Sequence, residues 1–192
     1  MTLLIVGLIV FLGGHSVRIF ADSWRSAQIA RLGEGAWKSL YSLASIVGFV
    51  LVVWGFGRAR VDTVALWQPP FWTHYVAAIF TLAAFVLVVA AYVRDTRIKG
   101  ALHHPMILGV KAWAAGHLIA NGTVADVVLF GSFLAWAIVD FAVSRRRDRA
   151  AGTIYPAGTP ARDAIAVAIG AVAWAIFAFY LHGWWIGVRP FG

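Results

Sequence analysis

The 192-residue chain contains no cysteine and only two methionines. The missing thiols exclude a disulfide framework, a thiolate metal site, an iron–sulfur cluster and the C-x-x-C-H attachment of a c-type haem. Any metal is left to histidine, carboxylate or methionine. Charge is scarce too: 12% of the residues are charged and eight are acidic, against 61% hydrophobic. That is too little polar surface for a soluble globule, so the chain reads as an integral membrane protein. A net charge of +8 would suit nucleic acid, but the arginines sit between apolar runs, where membrane topology accounts for them. No linker, low-complexity tract or internal repeat divides the chain, and one domain is expected over residues 1–192.

Six apolar spans follow from the pattern. The first, Thr2–Ala21, has neither a basic leader nor a small-x-small cleavage pattern and is read as an uncleaved span. A connection with Asp22, Arg25, Arg31, Gly33, Glu34, Gly35 and Lys38 reads as a surface loop. The second span is Trp37–Gly57 and the third Trp72–Val93, separated by Pro69 and Pro70, which cannot continue a helix. The fourth lies within His103–Gly122, with Pro105 suited to a first helical position and Asn121-Gly122 to its end. Thr123 with Asp126 three residues on reads as a capping-box variant opening the fifth, Val124–Val143. Thr159 and Pro160 precede the sixth, Ala164 to about Ile186.

The expected fold is therefore an all-α bundle of six transmembrane helices. Connections one, three and five and their flanks hold twelve basic residues: Arg18, Arg25, Arg31, Lys38, Arg94, Arg97, Lys99, Arg145, Arg146, Arg147, Arg149 and Arg162. The opposite side holds three, Arg58, Arg60 and Arg189. This bias places the arginine-rich loops in the cytoplasm and both termini outside, on the periplasmic face.

Polar groups inside the spans need a reason, because a charge at mid-bilayer costs about 2.5–3.5 kcal/mol on insertion scales. They are His15, Arg18, Lys111, His117 and Asp140. Neutral histidine costs less and is a common axial ligand for haem iron. His15 follows Gly13 and Gly14, which would let a flat macrocycle approach the helix. For His15 and His117 two readings stand side by side, a histidine hydrogen-bonded to a neighbouring helix and an iron ligand. His74, His103, His104 and His182 lie nearer the surfaces and read as interface residues. Lys111, seven residues after His104, shares its helical face, whereas His117 lies about 140° around from His104. Lys111 would neutralise a haem propionate or an acidic substrate group, or pair with a carboxylate such as Asp126 or Asp140.

Four elements carry a resemblance: F-x-G-G-H-S in the first span, L-W-x-P-P-x-W before the third, H-P-M-x-x-G-V-K-x-W-x-x-G-H-L-x-A-N-G through the fourth, and L-F-G-S-F-L-x-W in the fifth. Together they resemble the NnrU family of bacterial membrane proteins, over essentially the whole chain. That family is named for a link to nitrite and nitric oxide reduction, and it looks related to the plant zeta-carotene isomerase, which binds b-type haem. The resemblance implies one haem b whose iron is held by His15 and His117 between the first and fourth spans. His104 is implied as a third participant; Lys111 and Arg18 are expected, as intramembrane basic residues, to be further cofactor-binding groups.

It also implies the bacterial inner membrane as location and redox or nitric oxide sensing as function, with haem-dependent isomerisation of a lipophilic, carotenoid-like polyene as the alternative. The isomerase has a cysteine shortly before the histidine matching His117, where this chain has Ala114, so a thiolate ligand switch is excluded. The H-P-x-x-x-G element also resembles isoprenylcysteine methyltransferases, but SRRRDRAAG replaces their acidic cofactor segment. A depth count places His15 toward the cytoplasm and His117 toward the outside, offset by on the order of 10–13 Å at 1.5 Å per residue. One iron then joins them only if the haem plane lies nearly parallel to the membrane or the helices are strongly tilted or irregular. Otherwise His15 with His104 is the better pair.

Overall fold

A computed structural model describes residues 1–191. Its helices are α1 (Thr2–Phe20), α2 (Asp22–Leu32), α3 (Glu34–Ala59), α4 (Thr73–Tyr92), α5 (Arg97–Leu102), α6 (Pro105–Ala120), α7 (Val124–Ala151) and α8 (Pro160–Ile176), the last continuing as a π-helix over Phe177–Ile186. Among the described residues five helices are long and apolar enough to cross a bilayer: α1, α3, α4, α7 and α8 with its π-helical extension. The chain is a multi-pass membrane protein. The expected fourth span, α6, has 16 helical residues, about 24 Å at 1.5 Å per residue. His103, His104, Asn121 and Gly122 flank it in non-helical conformations.

Local chemistry sets the helix ends. Pro105 opens α6, and the Thr123 hydroxyl and Asp126 carboxylate cap α7 reciprocally in a complete capping box. The Thr159 side chain caps α8 ahead of Pro160. The first connection is not a loop: it folds as α2 and the first turn of α3, with Gly33 at a φ of 81° as the corner between them. Its spaced apolar residues explain this, since Trp24 packs against Trp37 with ring centroids 5.9 Å apart. The arginine run after the fifth span stays helical to Ala151, because arginine is a good helix former and nothing stops the helix before Gly152, which sits in the left-handed region at φ 60°.

α1 packs on α3 and α4 on α6; α7 joins the two pairs by packing on α1 and α6, and α8 covers α4. The spatial order is α3, α1, α7, α6, α4, α8. Glycines bring the backbones together. A methyl group added to Gly7 would stand 2.6 Å from the Val52 nitrogen, and one on Gly48 2.7 Å from the Phe11 nitrogen. Gly55 abuts the backbone of Leu4, Gly116 the Phe80 side chain, and Gly170 the backbone of Val86. In lipid, where apolar burial gives helices no reason to associate, such close approach supplies the packing energy. A core of Leu4, Leu8, Val52, Ala59, Ala114, Ala125, Leu129 and Phe130 lies at one end of this layer.

At that end the α3–α4 loop docks on the α6–α7 turn. The Leu66 and Trp67 amides donate to the Gly122 carbonyl, the Val124 amide donates to Val64, and the Ala125 amide donates to the Thr63 hydroxyl. Gly122 is required here because a side chain would collide with the Trp67 carbonyl. The Arg60 guanidinium, just past α3, donates to the Ile186 carbonyl at 2.6 Å. It ties the end of α3 to the end of the π-helix, the two extremes of the spatial order. At the opposite end the α7–α8 loop docks on α5: Thr159 donates to the Asp95 carbonyl, and the Ile98 amide donates to the Asp163 carboxylate.

Gly55→Ala is expected to destabilise the detergent-solubilised protein by about 1–3 kcal/mol, the usual range for overpacking. Gly57→Ala, two residues on and facing open space, is neutral or stabilising by up to about 1 kcal/mol. Thermal unfolding of the two variants beside the parent checks both.

Candidate functional site

His15 and His117 are built alike. Each lies one helical turn after an aromatic residue and donates Nδ1–H to that residue's carbonyl, His15 to Phe11 at 2.7 Å and His117 to Trp113 at 2.8 Å. A carbonyl can only accept, so the ring proton sits on Nδ1 and the Nε2 lone pair is left free. That is the arrangement of a metal-ligating imidazole, whose orientation is set by a hydrogen bond from its other nitrogen. Both rings are enclosed by aromatics. His15 lies 4.3 Å from Phe11, 5.3 Å from Tyr41 and 6.1 Å from Trp136, ring centroid to centroid. His117 stacks on Phe130 at 4.5 Å and lies 5.3 Å from Trp113.

The two rings are in no direct contact. The path of ring contacts between them runs from His15 through Phe11, Phe133 and Trp113 to His117. α7, which supplies Phe133, packs on both α1 and α6. An iron held between two imidazoles needs their nitrogens about 4 Å apart, twice a metal–imidazole bond of about 2 Å. Each histidine offers the donor chemistry of an iron ligand, and a chain of three aromatic rings, Phe11, Phe133 and Trp113, connects one to the other.

The remaining candidates lie elsewhere. His104 donates from Nε2 to the Asp148 carboxylate at 2.7 Å, and the Tyr155 hydroxyl donates to the same oxygen at 2.9 Å. The Tyr155 hydroxyl is held above its ordinary pKa by burial and then by that carboxylate. His103, at a φ of 66°, packs at a tilt on Tyr155 at 4.3 Å, and its buried Nδ1 makes no hydrogen bond, with the Asp148 carboxylate 3.9 Å away. Lys111 makes no ion pair among the described residues. Its ammonium stands 4.1 Å over the Phe141 ring, while Asp126 is used in the α7 cap and Asp140 accepts from Ser144. Arg18 is exposed, and its carbonyl accepts from Arg147. His104 and Lys111 both lean on Phe141, a different seam of α6 from that of His117.

One feature lay outside the reading of the sequence, and one histidine read there as an interface residue is held by a bond that the reading did not foresee. An apolar groove of about 640 Å³ runs between α1 and α7, lined by Ile5, Leu12, Gly13, Ser16, Ser132 and Trp136 among others. Trp136 also has its indole nitrogen buried without a partner. His182 lies in the π-helix and donates Nδ1–H to the Val188 carbonyl at 2.7 Å, so its Nε2 is free in the same way as those of His15 and His117. The GGH spacing draws attention to His15, but a π-helix leaves no such mark.

The NnrU protein family model matches residues 3–190, and the chain belongs to that family. No curated protein and no solved structure matches it.

Asp148→Ala strands the His104 and Tyr155 donors at a half-buried site. The variant is expected to lose about 1–3 kcal/mol of stability, measured as a lower unfolding midpoint in detergent. Tyr155→Phe, which removes one donor and leaves Asp148 paired with His104, loses less.

Proposed function

We propose that this NnrU protein is a haem b-binding protein of the bacterial inner membrane, associated with nitrite and nitric oxide metabolism and serving redox or nitric oxide sensing. The observation that carries the reading is the imidazole of His117, with Nδ1–H tied to the Trp113 carbonyl, Nε2 free, and the ring packed between Trp113 and Phe130. His117 would ligate the iron, and the family motifs pair it with His15. Such aromatic side chains suit the faces of a porphyrin. When bound, haem supplies one-electron chemistry and affinity for diatomic gases. Lys111 and Arg18 are the basic residues proposed to meet acidic groups of the cofactor or a partner.

A second reading, isomerisation of a lipophilic polyene, is favoured by the apolar groove between α1 and α7. Trp136 lines that groove and also touches His15, so a long apolar ligand lying there would have only this ring between itself and the histidine. The topology proposed with either reading has α6 as a sixth, short span, both termini outside and the arginine-rich connections in the cytoplasm. A short span is accommodated by local thinning of the bilayer or by flanking residues that reach the interface.

Spectra of the purified protein, oxidised and dithionite-reduced, test the cofactor. A Soret band with split reduced bands, and at least a tenfold loss of bound haem in His117→Ala, are expected. A colourless parent protein from haem-replete cells sinks the reading. The absence of native cysteine makes topology directly testable with single introduced thiols. A membrane-impermeant maleimide should label Asp62→Cys in intact spheroplasts, and Thr153→Cys only after permeabilisation; the reverse pattern inverts the topology.

A further inference from the structure

The groove between α1 and α7 is apolar at its ends and polar in its middle. The two helices run parallel, with Phe11 beside Phe133 and His15 beside Trp136. On α1 the wall extends from Ile5 to Phe20, about 22 Å at 1.5 Å per residue. Ile5 and Ile9 line one end and Ile19 and Phe20 the other, while Ser16, Ser132 and Trp136 stand between them. Gly13, three residues before Ser16, keeps that part of the wall open, and a methyl group placed on it meets nothing within 4 Å.

The three polar groups of this middle band lack partners. The Trp136 indole nitrogen is buried with no acceptor, and the Ser16 and Ser132 hydroxyls make no hydrogen bond among the described residues. Thr73 and Thr81, by contrast, donate to the Pro70 and Ala78 carbonyls at 2.6 and 3.1 Å, a local way of satisfying a hydroxyl in lipid. An unmet donor in hydrocarbon costs free energy until an acceptor arrives. The starts of α1 and α7 share one end of the bundle, where Leu4, Ala125 and Leu129 join one core. Counted from there, Ser132 lies about 12 Å, Trp136 about 18 Å and Ser16 about 21 Å along the helices. In a hydrocarbon layer of about 30 Å these levels bracket the midplane.

That depth selects the ligand. A phospholipid keeps its ester oxygens at the edge of the hydrocarbon layer, and a plain polyene brings no acceptor at all. A flat ring with carbonyl oxygens on a long apolar tail meets the donors, the indole face and the isoleucines together, and about 640 Å³ is a usual volume for a small-molecule site. We propose that the groove binds a lipophilic quinone, its carbonyls accepting from the Trp136 indole and the two serines. The site does not depend on haem, and it assigns the groove an occupant other than the polyene of the second reading.

The test uses full-length protein in detergent, photolabelled with an azido-benzoquinone bearing a decyl tail and mapped by mass spectrometry. Label is expected on the α1 and α7 walls. Unlabelled decylquinone should displace it at concentrations about tenfold below those needed with decylbenzene, which has the tail and ring but no oxygen. Trp136→Phe keeps an aromatic wall without the donor and should weaken labelling about threefold to tenfold. Gly13→Leu fills the groove and should weaken it by about tenfold or more. Gly131→Leu, on α7 outside the groove and also facing open space, should label like the parent. Size-exclusion profiles show which variants are folded, and Trp136→Phe decides if Gly13→Leu is not. Label on other helices, or parental labelling in the folded groove variants, overturns the assignment. Equal displacement by decylbenzene overturns it too and returns the groove to a hydrocarbon. A colourless preparation that still labels as expected removes the haem reading and leaves this one standing.

Discussion

The structure depends on backbone approach between helices at glycine. Lipid tails are as apolar as the side chains, so nothing is gained by moving a leucine from lipid to a helix interface, and association rests on contact and on satisfied polar groups. Gly7, Gly48 and Gly55 remove the side-chain layer between α1 and α3, while Gly116 and Gly170 do the same against α4. With those pairs set, α7 is left as the strut between them, and the aromatic rings of Phe130, Phe133 and Trp136 fill the space on either side of it. The positions of His15 and His117 follow from that frame, each on a helix packed against the same strut.

Polar atoms in such a layer must be satisfied within the layer or close to it. The chain does this with short-range bonds. His15 and His117 bond to their own helices, the first turn of α7 is closed by Thr123 and Asp126, and Thr73 donates to the Pro70 carbonyl. A histidine that satisfies one nitrogen locally leaves the other unpaired at no further backbone cost. The exceptions are informative for the same reason. Trp136 has a buried donor with nothing to receive it, beside both His15 and the α1–α7 groove, so an acceptor entering there would relieve a standing deficit.

Much of this could be read from residue patterns. The apolar runs, Pro105 at the head of α6, the Thr123–Asp126 cap and the Thr159–Pro160 start of α8 are local signals, and local signals survive folding unchanged. Where the reading and the structure part, the cause is a long-range contact or a backbone form with no sequence mark. Trp24 finds Trp37 across Gly33 and turns an expected loop into a helix. Asp148, an ordinary residue in an arginine run, becomes the acceptor for His104 and Tyr155 because the α7–α8 loop folds back on α5. His15 and His117 are conspicuous as intramembrane histidines, yet the ring contacts that link them run through Phe133 of a third helix. His182 is inconspicuous in a run of tryptophans, and only the π-helix with the Gly187 turn shows how firmly it is held.

The two ends of the bundle are consequently different in kind. At the arginine-rich end each titratable group among His104, Asp148 and Tyr155 is committed to another, so a ligand arriving there would have to break a charge-assisted bond before forming its own. At the opposite end His117 and His182 each present an uncommitted nitrogen, their rings held by carbonyls of the chain, and the elements carrying them are fastened by Arg60 and by the docked α3–α4 loop. Preorganisation of this sort lowers the ordering cost of binding. A ligand that takes an imidazole nitrogen would meet oriented donors there, whereas His104, Asp148 and Tyr155 at the arginine-rich end are already engaged with one another.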